Sequence, residues 1–130
     1  MLIKRYTKHS GVQISAHFNS NEFDCHCTRP SCKETPIDMN HVGKLELLRA
    51  LAGKSIHIND GYRCPEHNNE TPGSAKNSQH IKGDATDIKI PGLSVPEVVK
   101  LAEQVGFDGI GTYSTFTHVD SRGNRARWVG

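Results

Sequence analysis

Apolar positions along the chain follow two spacings. Between Ile37 and Gly53, Val42, Leu45, Leu48 and Leu51 recur every three residues. That is close to a helical repeat, so a helix is predicted from Ile37, capped by Asp38, with Val42, Leu45, Leu48 and Leu51 as its inner stripe and Gly53 as its stop. A second helix is predicted from Ser94, where Ser94 and Glu97 form a capping box around Pro96. Val98, Leu101, Ala102 and Val105 make its buried face, and Gly106 ends it. Alternating or short apolar runs predict strands at Ile56–Ile58, Ala85–Ile90, Gly109–Tyr113 and Phe116–Asp120, the last two joined by a tight Ser-Thr turn, with Arg125–Trp128 as a final edge strand. Residues 1–36 read as polar and irregular, and 60–83 as a long polar loop of the kind that carries function. Helices and strands mix without a βαβ rhythm. The fold class is therefore α+β: one small domain over residues 1–130, with a mainly antiparallel sheet and two main helices.

Composition narrows the function. The chain has 130 residues, 35% hydrophobic and 23% charged, with a net charge of +2. Such a mild balance, with no basic stripe, argues against nucleic acid as a partner. No apolar run approaches a membrane span, so membrane insertion is not expected. Met1 to His9 is positively charged but has no apolar core behind it, which does not match a secretory signal peptide. Synthesis in the cytoplasm is the expectation. Eight His and four Cys are many for this length and direct attention to metals or redox chemistry.

The densest chemistry lies in Ser78-Gln79-His80-Ile81-Lys82-Gly83-Asp84-Ala85-Thr86-Asp87. A His closes a loop, Gly83 turns the chain, and an Asp follows on a strand behind the small Ala85. His80 and Asp87 can thus converge from two sides of the turn. His118 and Asp120 lie two apart on a strand and share a face, with Val119 turned to the core. His80, Asp87 and His118 offer two imidazoles and a carboxylate, and leave a fourth zinc position open for water. Arg63 supplies a guanidinium fork suited to a carboxylate or an oxyanion; the plainer reading is a structural ion pair. Ser78 could equally be a turn residue bonded to its own backbone.

Together these stretches resemble the zinc D-Ala-D-Ala carboxypeptidase family of peptidoglycan peptidases, which includes phage endolysins. The shared pattern is Ser78, His80, Gly83, Ala85 and Asp87, then His118, with Gly61-Tyr62-Arg63 upstream. The branch with a His-Val-Asp ending is matched further by His17-Phe18, Glu22-Phe23, Gly109, Gly111, Tyr113, His118-Val119-Asp120 and Arg127-Trp128. The resemblance covers nearly the whole chain. It implies a Hedgehog-like fold with zinc in a surface cleft, and His80, Asp87 and His118 as the ligands. Arg63 would act on the oxyanion or the substrate carboxylate, and Ser78 and Tyr113 would line the substrate side. Asp60 replaces the Ser that relatives carry before Gly-Tyr-Arg. Thr115 stands where many relatives carry a general base three residues before the last His. Asp120 is then either the base or the group that holds a ligand His in place.

The resemblance implies a zinc metallopeptidase that cuts a stem or cross-link peptide of peptidoglycan, as carboxypeptidase or endopeptidase; a monomer is the separate expectation. It would reach the wall after release from the cell, or as part of a phage particle. The alternatives are a non-catalytic zinc module of the same fold and a wall-opening component of a phage particle. Cys25, Cys27, Cys32 and Cys64 suggest a second, structural zinc site, disulfides, or free buried thiols. His57 reads as a strand residue without chemistry, His67 as structural, and His9, His26 and His41 as solvated.

Overall fold

The computed structural model describes residues 1–75 and 77–130. Two antiparallel strands, β1 (Ile3–Thr7) and β2 (Glu34–Asp38), form a ribbon in the part of the sequence expected to be irregular. Between them a single 3-10 turn, Ser20–Phe23, is held by a capping box in which Asn19 and Glu22 bond each other's backbone N–H. Helix α1 (Met39–Ala52) follows, then β3 (His57–Asp60), the short helices α2 (Pro65–Glu70) and α3 (Gln79–Lys82), β4 (Ala85–Lys89), α4 (Val95–Val105), β5 (Gly109–Thr112), β6 (Thr117–Asp120) and β7 (Ala126–Val129). The α+β class and the two main helices agree with the sequence reading.

The five-stranded sheet has the order β3-β4-β6-β5-β7. Its pairings are antiparallel except that of β5 with β7, which is parallel. Helices α1 and α4 pack on each other, and α4 covers β5 and β6. Val42, Leu45 and Leu48 from α1, Val98 and Ala102 from α4, and Ile88, Ile110 and Val119 from the sheet are buried in one cluster with Phe18, Phe23 and Phe107. Each large apolar side chain buried in this way stabilises the fold by about 1.5–3 kcal/mol. Phe18 and Phe23 meet edge to face, with ring centroids 6.2 Å apart. The His-Phe and Glu-Phe pairs of the N-terminal segment therefore anchor it to the core.

Several local expectations are corrected. Ile37 belongs to β2, and α1 starts at Met39, because Asp38 caps it by accepting the Asn40 N–H. Leu51 lies on the outer face of α1 and is half exposed: a strict three-residue repeat drifts round a 3.6-residue helix. The 60–83 stretch is not one loop; Cys64 and Ser78 each cap a short helix. His41 is not solvated. It is 1% exposed, with Nδ1 2.8 Å from Ser121 Oγ and Nε2 3.0 Å from Thr86 Oγ1. Burial lowers its pKa to about 3, so the ring stays neutral.

Strand register places the chemistry. Asp60 faces Asp87, Asp87 faces His118, His118 faces Gly111, and Gly111 faces Trp128. These five residues form one transverse row on the face of the sheet opposite the core. A register shift between Ile58 and Asp60 brings Asp60 into the row. The neighbouring row is Ala85, Asp120, Gly109 and Ala126.

Glycine matters most at the turn that leads into β4. Gly83 sits at φ +80°, and a Cβ there would lie 2.4 Å from the Pro36 carbonyl oxygen. Gly83→Ala is expected to destabilise the protein by roughly 1–3 kcal/mol and to displace His80, measured by urea unfolding.

A candidate metal centre in a cleft between two arginines

His80, Asp87 and His118 come from α3, β4 and β6, and they are 2%, 8% and 7% exposed. Ser78 starts α3 by accepting the His80 N–H at 3.2 Å. The helix is a single turn, so His80 is delivered almost at once to the end of β4. His80 Nδ1 lies 2.7 Å from the Gly61 carbonyl oxygen and must donate to it. Its Nε2 is therefore the free lone pair, 3.3 Å from Asp87 Oδ1. His118 is oriented the other way. Its Nε2 lies 2.7 Å from Asp120 Oδ2, and its Nδ1 lies 3.1 Å from Asp87 Oδ1.

One donor atom from each of the three residues lies within 4.8 Å of the others. Ligands about 2.0–2.1 Å from a tetrahedral ion stand about 3.3 Å from one another. The two N···O separations at Asp87 match that edge. The hydrogen bonds that Gly61 and Asp120 make to the outer nitrogens fix the tautomers in the metal-binding sense. The three residues fit a single divalent ion.

Asp120 is fully buried and has both oxygens engaged. Arg122 Nη2 donates to Oδ2 at 2.7 Å, and Arg122 Nε to Oδ1 at 3.0 Å. Ala85, Gly109 and Ala126 surround this carboxylate in the sheet, and a Cβ on Gly109 would lie 2.2 Å from it. A Cβ on Gly111 would meet the Trp128 indole at 2.5 Å. The two glycines of β5 thus make room for Asp120 and for Trp128, whose ring centroid is 4.9 Å from that of His118.

The cleft above the three residues has a volume of about 520 Å³. One wall carries Arg63, 7% exposed, with Nε 2.7 Å from Asp60 Oδ2 and Nη2 3.6 Å from Asp87 Oδ2. Asp60 therefore holds the guanidinium fork, while its Oδ1 is buried with no partner among the described residues. Asn68 takes the third side: its Oδ1 accepts from Arg63 Nη1 at 3.1 Å, and its Nδ2 donates to the Ala75 carbonyl at 2.9 Å. The opposite wall carries Arg122, Tyr113, Phe116 and Trp128. Trp128 Nε1 donates to the Tyr113 hydroxyl oxygen at 2.9 Å, leaving the phenolic proton free. The Arg122 guanidinium lies 5.2 Å from the Trp128 ring centroid.

The family profile described as Peptidase M15 matches residues 16–120, which include every one of these groups except Arg122, Ala126 and Trp128. The chain belongs to the Peptidase M15 family. It is 36% identical over 93 residues, 65% of its length, to the peptidoglycan L,D-endopeptidase MepK of Escherichia coli (strain K12). It is 38% identical over 86 residues to the probable peptidoglycan L,D-endopeptidase MepK of Haemophilus influenzae. These alignments cover 51% and 46% of the two relatives, so the chain spans about half the length of the curated relatives it matches.

For this M15 domain the sequence reading named Arg63, Ser78, His80, Asp87, Tyr113 and His118, and all six line one cleft. Asp120 stands behind His118. Thr115, at the position of the usual base, carries no titratable group and is exposed at the β5–β6 turn. Arg122, Asn68 and Phe116 were not singled out. Arg122 could have been found from its place two residues after Asp120. Asn68 and Phe116 had no signal without knowing where the chain folds back. The four cysteines gather on the other side of Arg63, and all are free.

The charges are strongly coupled. Burial works to raise the Asp87 pKa, but hydrogen bonds and charge from His118 and His80 outweigh it and hold the carboxyl well below the usual range. Burial likewise pushes Asp120 up, and His118 and Arg122 bring it far down. Asp84 is the exception. Burial, with Asp120 and Asp38 nearby, pushes it up to about 6. A carboxyl with a raised folded pKa favours folding in its protonated form. Its penalty therefore grows as pH rises from about 4, the unfolded value, through 6, and is constant above. In metal-free protein, Asp84→Asn is expected to add about 2 kcal/mol at pH 8 and nothing near pH 4, read from urea midpoints across that range.

Proposed function

We propose that this domain is a zinc-dependent peptidoglycan peptidase of the endopeptidase type, cutting a stem or cross-link peptide. One observation carries the reading: two imidazoles and a carboxylate with tetrahedral spacing lie at the floor of a cleft with a guanidinium on each side. The peptidase family and the peptidoglycan L,D-endopeptidase relatives support the same substrate class and favour endopeptidase over carboxypeptidase.

In this reading His80 Nε2, Asp87 and His118 Nδ1 hold zinc. When bound, the ion supplies Lewis acidity and lowers the pKa of a coordinated water towards about 7. Asp120 keeps the His118 proton on Nε2 and so presents Nδ1 as a lone pair. With both oxygens occupied, Asp120 acts by holding this ring and not by accepting a proton from water. Arg63, immobilised by Asp60 and Asn68, places a fixed positive charge beside Asp87, where an oxyanion would be stabilised. Arg122 on the far wall faces the carboxylates that wall peptides carry, and Tyr113 offers its free hydroxyl proton to the peptide. Ser78 positions His80 through the α3 cap and lines the cleft beside it. The domain is proposed to act as a monomer covering residues 1–130; among the described residues no helix is long and apolar enough to cross a membrane.

Purified protein incubated with cross-linked muropeptide dimers should release monomers, identified by mass spectrometry, without releasing free D-Ala. His80→Ala should lose both the ion at this centre and the activity. Asp120→Asn should weaken metal affinity roughly 10–100-fold while the fold is kept. If zinc is bound at the three residues and no wall peptide is cut, the non-catalytic zinc module becomes the correct reading.

A further inference from the structure

The cysteines lie outside the machinery above. Cys25, Cys27 and Cys32 come from the connection between the 3-10 turn and β2, and Cys64 directly follows Arg63. Their four sulfurs all lie within 4.8 Å of one another. Cys64 Sγ is 3.7 Å from Cys25 Sγ and 3.7 Å from Cys27 Sγ. Thiolates about 2.3 Å from a tetrahedral zinc ion stand about 3.8 Å apart. The thiols are unbridged, and their spacing is that of ligands round a common centre.

The surroundings fit a metal thiolate centre and not an apolar packing of neutral thiols. The His67 N–H donates to Cys64 Sγ at 3.4 Å, and the Cys64 N–H donates to Cys25 Sγ at 3.4 Å. The Lys8 ammonium lies 3.6 Å from Cys27 Sγ and is held there by the Cys27 carbonyl at 2.8 Å. Backbone N–H groups and one ammonium aimed at sulfur offset the negative charge that four thiolates keep even with a divalent cation between them. Cys27 and Cys32 are half-buried and border a surface depression, so an ion has a way in.

We infer that Cys25, Cys27, Cys32 and Cys64 bind a second zinc ion, a closed structural site separate from the His80–Asp87–His118 centre. Four protein ligands leave no open position for water, so this ion takes no part in hydrolysis. It joins two segments that already touch: the Tyr62 N–H donates to the Phe23 carbonyl at 2.9 Å, and a Cβ on Gly61 would lie 2.7 Å from Phe23 Cα. The strap that ends in Cys64 contains Gly61, whose carbonyl orients His80, and Arg63. The ion therefore fixes the wall of the cleft from behind. A Cys-x-Cys start is tighter than the common spacing in zinc ribbons, and the arrangement works because Cys64 arrives from a distant segment.

The test does not depend on the catalytic centre. The double variant His80→Ala/His118→Ala, purified and dialysed against metal-free buffer, should retain about one zinc per chain and the parent about two. With cobalt in place of zinc, that variant should show the intense near-ultraviolet thiolate-to-cobalt absorption of a tetrathiolate site. Cys27→Ser/Cys32→Ser should lose that absorption. Should the cysteine variant fail to fold, the parent decides the matter. Denatured without reductant in the presence of a chelator, it should yield all four thiols together with the zinc that had masked them. A His80→Ala/His118→Ala variant that holds no metal, or a parent in which the cysteines titrate as disulfides, would overturn the inference.

Discussion

The grip on His118 is the constraint on which the site depends. An imidazole that is to serve as a ligand through Nδ1 must carry its proton on Nε2, and a lone ring in solution mixes both tautomers. Asp120 resolves the choice from behind, at 2.7 Å, and is itself locked by Arg122. Asp87 meets the other nitrogen from the front. Burying two carboxylates so close together is costly unless each is matched by hydrogen-bond donors. Here both oxygens of Asp120 have donors, and the inward oxygen of Asp87 faces the two ring nitrogens that would share a metal with it. His80 follows the same logic with a neutral partner, the Gly61 carbonyl.

That grip is a property of sheet register. Asp60, Asp87, His118, Gly111 and Trp128 stand side by side on successive strands, and Ala85, Asp120, Gly109 and Ala126 form the next row. A slip of one residue in any of these strands would turn its site residues to the opposite face. The core on that opposite face, with Ile88, Ile110 and Val119 buried to 2% or less, is what prevents the slip. Small residues beside large functional ones complete the pattern. Gly109 and Ala85 leave space for a carboxylate, and Gly111 for an indole. The Gly-x-Gly of β5 serves packing within the site.

The cleft is asymmetric. On one side a guanidinium is clamped by Asp60 and Asn68 and backed by the cysteine cluster. On the other, Arg122 lies over Trp128, and Tyr113 stacks on Phe116 with ring centroids 4.5 Å apart. Each wall carries one guanidinium, and each is paired with a carboxylate: Arg63 with Asp60, and Arg122 with Asp120. Asp60, just before Gly-Tyr-Arg, takes the Nε of Arg63 and stiffens it.

Much of this could be read from the chain. The spacing of His80 and Asp87 round Gly83, and of His118 and Asp120 on one strand face, is local chemistry. So are the capping signals at Asp38, Ser94 and Glu97 and the glycine stops. The family resemblance rested on His80, Asp87 and His118, with Ser78, Gly83, Ala85 and Gly61-Tyr62-Arg63. What the chain could not supply was anything decided by meetings between distant segments. His41 looked like a surface histidine, because nothing nearby in sequence announces that Thr86 and Ser121 will enclose it. The first 36 residues looked irregular, because β1 is mostly polar and exposed, the polar Thr35 and Asp38 of β2 are buried only by the fold, and the two strands are held by pairing with each other. That Arg122 occupies the Asp120 carboxylate together with His118 is likewise a meeting the chain does not announce. The sequence by itself determined which donor atoms exist and which of them share a face. Only the tertiary structure decided their partners, because tautomers, engaged oxygens and ligand spacings are set by groups that approach through space.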